Sequence, residues 1–331
     1  MDLALIWALI LAFAILVYVV LDGFDLGIGI LFPFFHDPTD RDRMMNSIAP
    51  VWDGNETWLV LGGGGLFAAF PLAYAVLIPA FYPLIIAMLL ALVLRGVAFE
   101  FRVKTKRSKH FWEAAFAGGS LLATLCQGTM LGAYLQEVSV NQRAYGGGWF
   151  DWLTPFSMFC GAALVAGYVL LGSTWLIIKT EGSLQQRCYR IAYGAGALLI
   201  AAIATVSLWL PLQNTEVAQR WFSFPGALIY WTVPFLLATL AGALFWCLYR
   251  RRTHGPYLLS LGFCLLSACG FGITVFPYIV PRNITLWEAA APDSSLLFML
   301  VGTAILLPMI ILYTSYAYWV FRGKVRDEGY H

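Results

Sequence analysis

The run from Leu3 to Leu21 is apolar and carries no charged side chain, and eight further long apolar runs follow it along the chain. A helix needs about 20 predominantly apolar residues to cross the hydrocarbon of a bilayer. The runs predict nine spans, near residues 3–31, 49–72, 75–101, 113–136, 152–178, 190–211, 222–249, 256–280 and 294–321. Charged residues make up only 11% of the chain, against about 25% in soluble domains. The first run has no basic stretch before it and no small-residue cleavage site after it. It therefore reads as a retained span and not as a signal peptide. The second is the least regular. Ser47 and Pro50 supply a helix start there, and Gly62 to Gly65 is expected to interrupt it.

Loop charge sets the direction of insertion. If alternate loops face the cytoplasm, starting with the one after the first span, that side collects sixteen basic residues, among them Arg41, Arg102, Lys106, Arg250 and Arg326. The other side holds three, Arg143, Arg220 and Arg282. Such a bias places the N-terminus outside and the C-terminus in the cytoplasm. The outside connections are short, so residues 1–331 read as a single integral membrane domain. A net charge of +2 gives no sign of a nucleic-acid partner. Pro225, Pro234, Pro277 and Pro308 fall in or near spans and read as kinks, whose freed carbonyls neighbouring helices satisfy.

Ionisable groups inside spans are costly and point to function. Asp22 and Asp25 lie late in the first span, three residues apart and on one helical face. Asp53 and Glu56 open the second span with the same spacing, and Arg95 and Glu100 lie late in the third. All six fall in the cytoplasmic half of the membrane. One Arg against five carboxylates leaves four uncompensated charges, so some of the acids must be protonated or reached by water. Arg95 lies about 10 Å from the Arg102 end of its helix at 1.5 Å per residue, within range of snorkelling. Two readings stay open: an Arg–Asp clamp with solvated helix ends, and a proton inlet facing the cytoplasm.

Other residue types argue by exclusion. His36, His110, His254 and His331 fall in predicted cytoplasmic loops or the tail, whereas membrane haem proteins commonly hold iron between helices through His. Met130, Met158 and Met309 could serve as axial ligands but read as packing residues. The six cysteines form no C-x-x-C pair and fit neither a zinc site nor a disulfide framework. Trp149, Trp152, Trp221, Trp287 and Trp319 suit an interfacial belt. Trp52, directly before Asp53, suits either the belt or contact with a cofactor of a partner.

Four stretches carry a family resemblance. They are Asp22 to Gly27 (DGFDLG), Asn46 to Glu56 (NSIAPVWDGNE), Arg95 to Arg102 (RGVAFEFR), and Phe276 to Pro281 (FPYIVP) running on to Thr285-Leu286-Trp287. Together they resemble subunit II of the cytochrome bd-type quinol oxidases, over the whole chain, with cyanide-insensitive members a candidate closer match. The resemblance implies an all-α fold of two four-helix bundles plus one peripheral helix. It also implies a heterodimer in the bacterial cytoplasmic membrane. The partner, subunit I, would carry haem b and haem d, oxidise quinol and reduce oxygen to water. This chain would ligate no haem, and the resemblance leaves room for a structural quinone and small accessory subunits. Asp53 matches the family's proton-inlet carboxylate, Asp25 its first-span acid, and Glu100 a position where Asp also occurs. Glu56 stands where an amide can occur. The expected role is delivery of cytoplasmic protons through Asp53, Asp25 and Glu100, oriented by Arg95, with Asp22 and Glu56 beside them. Rival readings are a coupled secondary transporter, for which Gly62 to Gly65 is the only candidate helix break, and a purely structural subunit.

Overall fold

A computed structural model describes residues 2–105, 107–213, 215–224 and 226–325 of the chain. Lys106, Pro225, Arg326 and His331 thus lie outside the described residues. The chain is almost wholly helical. It begins with α1 (Leu3–Leu31), α2 (Pro38–Asn46), α3 (Trp52–Ala69), α4 (Pro71–Lys104) and α5 (Lys109–Gln136), then α6 (Pro155–Lys179) and α7 (Gly182–Gln213). It continues with α8 (Thr215–Phe222), α9 (Gly226–Tyr249), α10 (Gly255–Val275), the single turn α11 (Leu286–Ala289) and α12 (Asp293–Val320). Two small antiparallel hairpins sit in loops: β1 (Val140–Asn141) with β2 (Ala144–Tyr145), and β3 (Tyr278–Val280) with β4 (Ile284–Thr285). Among the described residues, eight helices are long and apolar enough to cross a membrane: α1, α4, α5, α6, α7, α9, α10 and α12.

Local chemistry accounts for the helix limits. The Asp2 carboxylate accepts the Leu5 amide and caps α1. Thr154 and Ser157 form a reciprocal capping box at the start of α6, with Pro155 in its first turn. Pro234 and Pro308 lie inside α9 and α12, as do Pro79 and Pro83 in α4. Pro277 lies beyond the last residue of α10, outside any helix. The run Gly62 to Gly65 does not interrupt α3, which passes through it unbroken to Ala69. The transporter reading loses its candidate break.

Neighbouring helices close two rings. One joins α1, α3, α4 and α5, and the other joins α6, α7, α9 and α10, with α1 packed along α6. The α1–α6 approach depends on glycine at the crossing. A Cβ on Gly27 would stand 1.8 Å from the Tyr168 carbonyl oxygen, and one on Gly172 would stand 2.7 Å from the Gly27 carbonyl carbon. Small residues that let backbones touch are the usual device where no solvent drives helices together. On the other side of α1, α3 runs antiparallel: Asn55 meets Leu21 and Asp25, Gly62 faces Ile15 and Gly65 faces Leu11.

Replacing Gly27 by Ala forces the two backbones apart. We expect a loss of about 1–3 kcal/mol, the usual range for overpacking, read as a lower thermal midpoint of the detergent-solubilised protein. An unchanged midpoint would remove this crossing from the account.

Candidate functional site

The site lies where α1, α3 and α4 meet. Arg95, on α4, has no exposed surface, and its guanidinium faces two α1 carboxylates, Asp22 at 3.0 Å and Asp25 at 3.6 Å, both fully buried. Glu56 on α3 approaches the same guanidinium at 3.5 Å and keeps 27% of its side chain exposed. Asn55, also fully buried, donates through Nδ2 to Asp25 Oδ2 at 2.8 Å and to the Leu21 carbonyl at 3.3 Å. Both Asp22 oxygens, Asp25 Oδ1 and the Nε and Nη2 atoms of Arg95 are buried without a well-formed hydrogen bond. Charge attraction therefore holds the group together more than directed bonding does, and the free valences suit ordered water.

One face of the guanidinium is walled by aromatic rings. Trp52 stacks on Phe99 with centroids 5.0 Å apart and planes within 1° of parallel. The Arg95 guanidinium carbon lies 5.8 Å from the Trp52 centroid and 5.9 Å from that of Phe99. This stacking gives Trp52 a place inside the chain's own site. Arg95 does not snorkel, because its charge is answered within the helix group and not at the surface.

The six ionisable residues separate into two sets. Asp22, Asp25, Glu56 and Arg95 come together; Asp53 and Glu100 do not join them. Asp53 is exposed in the first turn of α3, one turn before Glu56. Glu100 is also exposed and pairs with Lys104 at 2.9 Å along its own helix. The reason is angular: five residues carry Glu100 about 140° around α4 from Arg95. Seven residues bring Arg102 back to the Arg95 face, and there a second network forms that sequence reasoning missed. Arg102 meets Asp42 at 2.7 Å and Glu113 at 3.1 Å, while Arg41 meets Glu113 at 2.6 Å. Both guanidiniums lie 5.3 Å from the Phe32 ring centroid. The signal available was Glu113, the acid that opens the fourth apolar run.

A further polar chain runs inward from this site. Tyr168 on α6 donates to Gln127 Oε1 at 2.8 Å, and Gln127 Nε2 donates to the Tyr18 hydroxyl at 2.7 Å. Tyr18 stands one helical turn before Asp22.

His36, His110 and His254 are all exposed at helix ends or loops. Among the described residues, no three His, Cys, Asp or Glu side chains gather as a metal site. A pocket lined by Asn46, Ser47, Trp175, Lys179 and Tyr318 has a volume of ≈ 10 Å³, room for about one water molecule.

An all-helical membrane protein with an ion group enclosed by its first helices is the class this geometry defines. Residues 3–321 match the family described as cytochrome bd terminal oxidase subunit II, and the chain belongs to that family. It is 31% identical to the cytochrome bd-I ubiquinol oxidase subunit 2 of Escherichia coli K12, over 98% of this chain and 95% of that protein. It is 28% identical to the cytochrome bd ubiquinol oxidase subunit 2 of Bacillus subtilis, over 98% and 97% of the two chains. The fold matches a chain of the bd oxidase structure from Geobacillus thermodenitrificans with a TM-score of 0.76 at 16% identity, over 97% and 99% of the two chains. The protein is thus a membrane subunit of a respiratory quinol oxidase complex, and subunit I is its implied partner.

Removing the cation should be costly. Arg95→Met leaves Asp22 and Asp25 buried without a counter-charge, a change that costs about 3–5 kcal/mol in comparable buried pairs. The expected readout is a lower thermal midpoint and poor yield of the complex. Adding Asp22→Leu and Asp25→Leu should restore much of the loss. A single variant as stable as the parent would contradict the charge balance described.

Proposed function

We propose that this chain is the haem-free subunit II that stabilises subunit I and feeds it protons from the cytoplasm. The observation that carries the reading is a graded series of carboxylates: Asp53 exposed, Glu56 partly exposed, and Asp22 and Asp25 enclosed around one guanidinium. Asp53 and Glu56 lie three residues apart on α3, so a proton taken up at the surface needs only one helical turn to reach Glu56. From there the Arg95 guanidinium and ordered water link it to Asp25 and Asp22. Glu100 stands off this line beside Lys104, and the relay is proposed without it.

The same proposal takes α3 as the ninth span. At 18 residues it is about 27 Å long, close to a hydrocarbon core of about 30 Å. Its antiparallel run along α1 supports this, since a helix that pairs with a spanning helix from Asp25 to Leu11 crosses the same depth. The two helix rings then read as two four-helix bundles with α12 peripheral. The N-terminus lies outside and the basic loops lie in the cytoplasm of a bacterial cell. Haem b and haem d belong in subunit I, where they supply the redox chemistry of quinol oxidation and oxygen reduction to water. Proton motive force arises because quinol protons leave outside while protons for water enter from the cytoplasm, with no pumping cycle.

Asp53→Asn in the assembled oxidase tests the reading. Losing a proton-transfer group lowers rates by about 10²–10⁴-fold when it is obligatory. A partly exposed Glu56 can still take up protons directly, so we expect a loss of about tenfold in oxygen-consumption turnover, with the haem spectrum intact. Unchanged turnover would sink the inlet role, and loss of haem would move Asp53 to assembly.

A further inference from the structure

Of all the spanning helices, α12 is among the least enclosed; within it only Leu296 is buried. Its C-terminal end is nevertheless held by two lysines in exchange. Lys179, the last residue of α6, donates its Nζ to the carbonyls of Phe321 and Gly323 just past α12. Lys324 donates to the carbonyl of Thr180, just past α6, at 2.7 Å, and the Val325 amide donates to the Lys179 carbonyl at 2.9 Å. Each lysine caps the other helix's C-terminus, where unpaired carbonyls and the negative end of the dipole favour a cation.

That grip sets the position of Tyr318, one turn inside α12. Its ring meets Phe24 edge-on at 6.4 Å and Trp175 at 6.0 Å. Its hydroxyl donates to Asn55 Oδ1 at 2.8 Å. A tyrosine near a membrane interface commonly turns its hydroxyl to water; this one turns inward to a fully buried amide. A carboxamide has an accepting end and a donating end. Tyr318 needs the acceptor and the Leu21 carbonyl needs the donor, so the two together fix Asn55 with its N–H toward Asp25.

We infer that Tyr318 is a positioning residue for Asp25, acting through Asn55 and held in place by the exchanged lysine caps of α6 and α12. Without the hydroxyl, Asn55 Oδ1 loses its donor and the amide is held only from its Nδ2 end, so the hydrogen bond that orients Asp25 loosens. The inference rests on the proposed proton-carrying role of Asp25 only for its effect on turnover; its effect on the Asp25 environment stands apart from that role.

Tyr318→Phe in the assembled two-subunit oxidase keeps the ring contacts and removes only the donor. The infrared band of the Asp25 side chain, identified by its disappearance in Asp25→Asn, is the readout. We expect that band to shift in Tyr318→Phe and the pH profile of oxygen consumption to move with it, at unchanged haem content. A band at its parent frequency overturns the inference, and if Asp25→Asn is slow in the same experiment the proton reading survives alone. A shifted band together with full turnover in Asp25→Asn upholds the positioning and removes the proton role. Should Tyr318→Phe fail to assemble, Lys179→Met is read by the same band: a shift supports the inference, and none overturns it.

Discussion

A fully buried guanidinium facing two fully buried carboxylates is expensive to assemble and more expensive to leave incomplete. Taking each ion out of water costs several kcal/mol even after relaxation, and only close mutual approach offsets it. Arg95, Asp22 and Asp25 meet this condition because α1 and α4 hold them 3.0 and 3.6 Å apart. Much of the surrounding structure serves that approach. The rings of Trp52 and Phe99 wall one side of the guanidinium. Asn55 supplies Asp25 with a hydrogen bond, and α3 must lie along α1 for it to do so. The glycine contact between α1 and α6 brings the second helix ring against the same helix.

Charge is thus arranged in two layers on one face of α4. Arg95 answers acids enclosed by helices, and Arg102, seven residues on, answers Asp42 and Glu113 near the loops. The outer layer ties the α1–α3 connection to α5, since Arg41 also reaches Glu113 and the Phe35 carbonyl. A proton-conducting site needs rigid walls and unsatisfied valences together. Under the proposed proton role, the outer network would hold the helices in place and the Asp22 and Asp25 oxygens that lack hydrogen bonds would take up the water.

The sequence was most legible where length and apolarity decide the outcome. The all-helical class and eight of the nine expected spans could be read from run lengths, and of the six ionisable residues expected to cluster the fold brings together Asp22, Asp25, Glu56 and Arg95. Glu100 could not be separated from Arg95 by proximity in sequence; only its angle around α4 shows that it faces away. The glycine run looked like a break because glycine weakens isolated helices, but Gly62 and Gly65 are packed against Ile15 and Leu11 of α1. Tyr318 was invisible for a different reason. It lies 263 residues from Asn55, and no local spacing connects the last helix to the second apolar run.

The central claim is that Asp25, held by Arg95 and Asn55, carries protons toward the oxygen site of the partner subunit. Its most direct test is proton uptake during a single oxidase turnover, in liposomes holding the two-subunit complex with Asp25→Asn. We predict uptake at least about tenfold slower, roughly 1.4 kcal/mol in barrier, with haem content and complex yield unchanged. Uptake at the parent rate in that complex would contradict it.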